Sequence, residues 1–247
     1  MKKILFLIIT LVFLSQPAFA KDPWADLQAL LHDIKGDFSV AYTDRSNAIK
    51  LGAAVAGAGL MANSPVDENF QRYYVGHLKS GSTDSASDIT RLPGELYVAI
   101  PVLFGAYLLS NDPDIKGWAN DSIRAIAIGA PAGLALQYIT GGGRPEEGGS
   151  EWSPFRDDNG LSGHAFIGAV PFIVAAKRTD SPCVTALLYT ASALPALSRI
   201  NDGKHFLSQA SLGWFLGYLS VNAVHKEDSA FAVLPYGDLG LMVSFEF

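Results

Sequence analysis

Apolar residues recur with a helical period through most of this chain. Trp24, Leu27, Leu31 and Ile34 share one face of a short amphipathic helix, opened by Asp22-Pro23 as cap and first residue and expected to stop at Gly36. From Asp44 to Ala62 the pattern turns alanine- and glycine-rich, with small residues that let helices approach closely, and it ends before Asn63-Ser64-Pro65. That stretch reads as a core helix. Further helices are predicted over 93–110, 113–139, 163–177, 181–197 and 205–225. The polar segment from Ser80 to Leu92 carries too little apolar surface to pack and is predicted to be a surface loop.

Near the C-terminus the period changes. Leu239, Leu241, Val243, Phe245 and Phe247 alternate after a turn at Pro235-Tyr236-Gly237-Asp238, which predicts a β-hairpin over 231–247. The expected fold class is therefore all-α, a helical bundle of about six core helices with a short C-terminal β-hairpin. A membrane span needs about 20 predominantly apolar residues. The apolar runs Leu96 to Leu109, Ala125 to Leu136 and Ala165 to Ala176 are each bounded by polar or charged residues, so they fit buried core helices better than spans. Mean hydropathy is nonetheless positive, which keeps a membrane-embedded bundle open as the alternative.

The first twenty residues have a different logic: a basic start at Lys2 and Lys3, an apolar stretch from Ile4 to Leu14, and Ala18 and Ala20 placed for cleavage. They read as a signal peptide, 1–20, leaving 21–247 as one exported domain, periplasmic or envelope-associated. No cysteine follows the cleavage site, so a bacterial-style lipid anchor is not expected, and the lone Cys183 leaves no intramolecular disulfide. The formal net charge is −6, and loss of the two leader lysines makes the mature chain more acidic. Without a basic face or a Lys/Arg-rich run, a nucleic-acid partner is excluded, and an anionic substrate must be met by local basic residues.

Of the five histidines, His32, His77 and His225 stand in ordinary polar or amphipathic contexts. His164 ends Leu161-Ser162-Gly163-His164 at the start of an apolar helix, where backbone N–H groups and the helix dipole favour anions. His205 ends Ser198-Arg199-Ile200-Asn201-Asp202-Gly203-Lys204-His205, and Gly141-Gly142-Gly143-Arg144-Pro145 lies upstream. Arginine's planar fork matches phosphate oxygens, and histidine near neutral pH can attack phosphorus or protonate a leaving oxygen.

In order, these pieces resemble the motifs of the type-2 phosphatidic acid phosphatase superfamily, whose fold the vanadium haloperoxidases share: Lys-x6-Arg-Pro, then Pro-Ser-Gly-His, then Ser-Arg-x5-His-x3-Asp. The resemblance spans roughly residues 92–225. It implies that Arg144 and Arg199 grip phosphate oxygens and that Ser162 and the Gly163 N–H complete the cradle. His205 would then be the nucleophile that forms a phosphohistidine, and His164 the acid that protonates the leaving alcohol. It also implies that no metal or other cofactor is needed, and that the substrate is a phosphorylated small molecule or lipid, the latter met at a membrane surface.

Two family positions differ. Gln137 stands where the pattern has lysine, Gln209 where it has aspartate, and both changes remove charge; Leu161 in place of proline is milder. Gln209 lies four residues after His205, so on a helix its amide oxygen can hold one ring N–H. Turned the other way, its NH2 would favour the wrong tautomer. Three readings follow: an exported histidine phosphatase acting on phosphate monoesters or diphosphates, a degenerate phosphate-binding or structural envelope protein, and a vanadium-dependent haloperoxidase, ranked last because Gln137 weakens oxyanion binding.

Overall fold

The computed structural model describes residues 22–225 in full and the backbone alone of 231–236 and 240–245. The expected leader over 1–20 lies outside the described residues. Helix α1 (Pro23–Thr43) opens where Asp22 accepts the Trp24 and Ala25 N–H groups, each at 3.1 Å. It does not stop at Gly36. Its buried face continues through Asp37, whose carboxylate takes a two-pronged bond from Arg124 at 2.6 and 2.9 Å. A charged residue on the inner face hides the period from a reading that tracks only apolar positions.

Helix α2 (Arg45–Ala62) follows the Asp44 cap as the small-residue pattern predicts. Helix α3 (Val66–His77) was not anticipated. Helix α4 (Gly81–Thr90) replaces the predicted loop. Ser80 and Thr83 form a reciprocal capping box, and the inner face of α4 packs through polar atoms: Ser87 Oγ lies 3.1 Å from Ser198 O, and Asn201 Nδ2 donates to Asp84 at 2.8 Å. A tight 3-10 turn, Leu92–Gly94, leads into α5 (Leu96–Leu109).

Helix α6 (Pro113–Thr140) is the longest and ends at Gly141, whose φ of 59° suits glycine. Helix α7 is Gly163–Lys177. The helix expected over 181–197 is two, α8 (Pro182–Ser192) and α9 (Leu194–Asn201), because Pro195 has no N–H to continue the ladder. Helix α10 is Leu207–His225. Helices are thus more numerous than the about six expected. The hairpin expected over 231–247 falls partly outside the described residues, and the fold rests on the helices alone.

The core sits where α6, α7 and α10 meet, around Ile128, Phe166, Val170, Ile173, Leu212 and Leu216. Each such side chain, fully buried, contributes about 1.5–3 kcal/mol. A Cβ on Gly213 would lie 2.3 Å from Ser162 O, so α10 can seat against the start of α7 only with glycine there. Two helical stretches, Pro113–Thr140 and Pro182–Asn201, are long and apolar enough to cross a membrane, and α4 with α5 would add a bent third. Uninterrupted apolar runs favour buried helices over spans, and these lengths bear on the membrane-embedded alternative that the positive mean hydropathy keeps open.

Candidate active site

The left-handed turn at Gly141 ends α6 and starts a loop braced against itself. Ser153 N–H donates to Gly141 O at 2.8 Å, Gly142 bridges to Trp152, and Asn159 N–H donates to Gly142 O at 3.2 Å. This bracing aims Arg144, whose Nε donates to the buried Asn159 at 2.9 Å, while Asn159 is itself tied to Asp157. Glu146 faces Arg144 Nη1 at 3.8 Å and Lys204 Nζ at 2.8 Å, joining the loop to the segment before His205.

Ser162 caps α7. Its N–H donates to Gln209 O at 3.0 Å and its Oγ accepts from Ala165 N–H at 3.3 Å, so the start of α7 is locked to α10. The Gly163 and His164 amides are the first of the helix and have no intrahelical acceptor, the usual condition of an anion-binding terminus. One turn from the end of α6, Gln137 Nε2 donates to Leu161 O at 3.1 Å. Its amide is thus committed to the loop that precedes the cap.

His205 is buried, and its Nδ1 lies 3.0 Å from Gln209 Oε1. The orientation of the Gln209 amide is set by two backbone groups. Oε1 also accepts the Phe206 N–H at 3.1 Å, and Nε2 donates to Gly143 O at 2.7 Å. Turning the amide would place donor against donor and acceptor against acceptor, so Nδ1 carries the proton and Nε2 keeps its lone pair. The wrong-tautomer arrangement weighed from the sequence is therefore disfavoured. Burial pushes the His205 pKa down to about 4, with Arg199, His164 and Arg144 adding to the shift and the Gln209 bond opposing it. At neutral pH the ring is uncharged.

His164 Nε2 stands 3.2 Å from Glu95 Oε2. Burial and then Arg199 hold its pKa below the ordinary histidine value, against the pull of Glu95. Arg199 is buried, with Nη1 3.1 Å from Asp202 and, among the described residues, no acceptor for Nε. Thus Gln137, Arg144, Ser162, Gly163, His164, Arg199, His205 and Gln209 meet at one end of the bundle.

Two further residues join them that the sequence reading missed, Arg91 and Glu95, which flank the 3-10 turn. A Cβ on Gly94 would lie 2.4 Å from His164 O, so this turn rests directly on the His164 backbone. Arg91 is close enough to act electrostatically on both His164 and Arg199. Neither residue belongs to a short motif; the one local signal was a charged pair bracketing Leu92-Pro93-Gly94. Among the described residues, no group of three or more His, Cys, Asp or Glu is placed to hold a metal ion.

Searches of curated proteins and of solved structures each return no match. A family model described as the PAP2 superfamily matches residues 125–229, a stretch that holds all eight sequence-predicted positions, in agreement with the superfamily that the motifs resemble.

Proposed function

We propose that this chain is an exported phosphatase that hydrolyses phosphate monoesters or diphosphates of an apolar alcohol through a phosphohistidine on His205. The observation that carries the reading is the clamp on Gln209, which leaves His205 Nε2 unprotonated, with Arg199 and Arg144 near enough to act on the ring electrostatically. In the first step the Nε2 lone pair attacks phosphorus as the P–O bond to the leaving alcohol breaks. His164 gives that oxygen its proton. In the second step water attacks the phosphohistidine, His164 takes the water's proton, and phosphate leaves with His205 restored. Arg144, Arg199, Ser162 Oγ–H and the Gly163 N–H hold the equatorial oxygens, where charge is greatest in the transition state.

An apolar tail on the substrate is supported by a cavity of about 540 Å³ lined by Leu92, Pro93, Val98, Trp118, Pro171 and Phe172. It begins at the same turn that carries Arg91 and Glu95 and runs along α7 away from His164. Exposed Tyr138, Ile139 and Phe155 at this end of the bundle support contact with a membrane surface. The competing reading, phosphate binding without turnover, draws on the missing charge at Gln209, since a neutral amide stabilises a cationic phosphohistidine less than a carboxylate would. Vanadium-dependent haloperoxidase activity ranks third for the same lack of charge at Gln137.

Phosphate release by the purified protein from soluble and lipid phosphates, beside His205→Ala and Gln209→Asp, separates these. Release that vanishes in the alanine variant supports the phosphatase. No release from the wild type or from a folded Gln209→Asp variant overturns it in favour of binding alone. Bromide-dependent peroxide consumption with added vanadate would mark the third.

A further inference from the structure

The family pattern places three cations around the phosphate, and this chain has lost one of them at position 137. The Gln137 amide is neutral, and its NH2 is already donated to Leu161 O. The two arginines of the motifs are each partly offset: Arg199 by Asp202 at 3.1 Å, Arg144 by Glu146 at 3.8 Å. A phosphate monoester dianion therefore meets less positive charge than the pattern provides.

Arg91 lies at the end of α4, where the chain enters the 3-10 turn that rests on His164. Its Nε is buried and, among the described residues, has no hydrogen-bond acceptor, a condition it shares with Arg199 Nε. A buried guanidinium N–H without an acceptor costs stability unless an anion or water completes it. The bland account of Arg91 is its i,i+3 pair with Asp88 at 3.2 Å. That pair is largely exposed, so it is worth little, and it leaves Nε unexplained.

We propose that Arg91 is a phosphate-binding residue of this site, supplying from the turn before α5 the third cation that the family pattern supplies as a lysine at position 137. The inference rests on the phosphatase reading of the site. It also explains why the polar segment from Ser80 to Leu92 folds as a helix: α4 docks on α9 through Ser87 and Asp84, and that docking sets where Arg91 stands relative to Arg199. The charge has moved from the helix that ends before Arg144 to a separate element. The motif looks degenerate while the cradle keeps three cations.

The test measures binding of inorganic phosphate by calorimetry, together with kcat and KM on a soluble aryl phosphate. The proteins are wild type, Arg91→Gln, Arg91→Lys, Asp88→Asn, and Arg91→Gln combined with Gln137→Lys. Loss of a charge-assisted bond should weaken phosphate binding and raise KM on the order of ten- to a hundredfold in Arg91→Gln. Lysine at 91 should retain part of the affinity, the added lysine at 137 should restore most of it, and Asp88→Asn should bind as wild type does. A purely structural role for Arg91 would not be rescued from position 137. Wild-type affinity in Arg91→Gln, equal loss in Asp88→Asn, or a double variant as weak as the single overturns the inference while the phosphatase reading stands. A wild type that neither binds phosphate nor releases it overturns that reading and the inference with it.

Discussion

Gln209 Oε1 stands 3.0 Å from His205 Nδ1, and the Phe206 N–H and Gly143 carbonyl hold it there from either side of the amide. Gln209 is fully buried, so Gln209→Leu would strand three polar groups, each at about 1–3 kcal/mol. The expected result is a marked fall in Tm and a loss of kcat/KM on the order of 10²-fold or more, as the ring loses its tautomer. Gln209→Asp has opposite effects on the two readouts. It adds a negative charge beside the imidazole and should raise kcat by about tenfold, equivalent to ~1.4 kcal/mol. A carboxylate has no N–H to donate to Gly143 O, so that carbonyl loses its partner and Tm should fall. Steady-state kinetics and thermal unfolding on the same preparations check both.

Activity should favour acid pH. In the proposed mechanism His205 attacks as the neutral ring, so its pKa of about 4 should set the acid limb of kcat/KM for the free enzyme near that value. In the same mechanism His164 releases the alcohol as the protonated ring, so its lowered pKa should bring the alkaline limb below the usual histidine range. Stability follows a matching rule. His205 titrates near 4 when folded and about 6.5 when unfolded. As pH falls through that window the unfolded chain binds a proton that the native chain does not, so native stability declines. It is full above about 6.5, is reduced by on the order of 3 kcal/mol near 4, and changes no further below that from this group. Urea unfolding of wild type and His205→Ala across this range should give a shallower pH dependence in the variant.

Asp37 and Arg124 join α1 to α6, neither belongs to the group of residues around His164 and His205, and Asp37 is almost fully buried. Removing one partner leaves a charge without compensation, so Asp37→Ala should cost about 3–5 kcal/mol. Arg124 keeps Asp121 at 3.3 Å, which places the expectation toward the lower end of that range. KM and kcat measured well below the unfolding transition should match wild type. Denaturant titration with parallel kinetics would expose any coupling of this pair to the site.

What could be read from the sequence was what lies close together along it. Arg144 with Pro145, Ser162-Gly163-His164, and Arg199 with His205 are short-range patterns, and short-range patterns survive without knowledge of packing. Glu95 and Arg91 escaped because only the docking of α4 and the 3-10 turn brings them to His164. The sequence of α4 reads as a loop because the side that docks on α9 carries buried Ser87 and half-exposed Asp84, matched to polar atoms of that helix. Helix α3 escaped too, although its buried Asp67 accepts the Ser208 N–H at 2.9 Å and so fixes the start of α10 beside His205. In each case a polar contact does what a periodicity argument assigns to apolar residues.

Phe155 projects into solvent with 76% of its surface exposed and a backbone φ of 62°, a conformation that costs a bulky L-residue about 1–2 kcal/mol. Its N–H donates to Tyr138 O at 2.8 Å, tying the exposed ring to the last turn of α6, where Tyr138 and Ile139 are also about half exposed. Strain retained at an exposed aromatic beside a phosphate site fits insertion into a lipid surface. Phe155→Gly removes the ring and relieves the backbone, at an entropic cost of roughly 0.5–1 kcal/mol, so stability should stay within about 1 kcal/mol of wild type. Hydrolysis of a soluble phosphate ester should be unchanged. Hydrolysis of a phosphate lipid embedded in vesicles should fall on the order of tenfold, because each transfer to the membrane loses the contribution of one buried aromatic ring. Equal activity of the two proteins on vesicles would assign Phe155 no part in membrane contact.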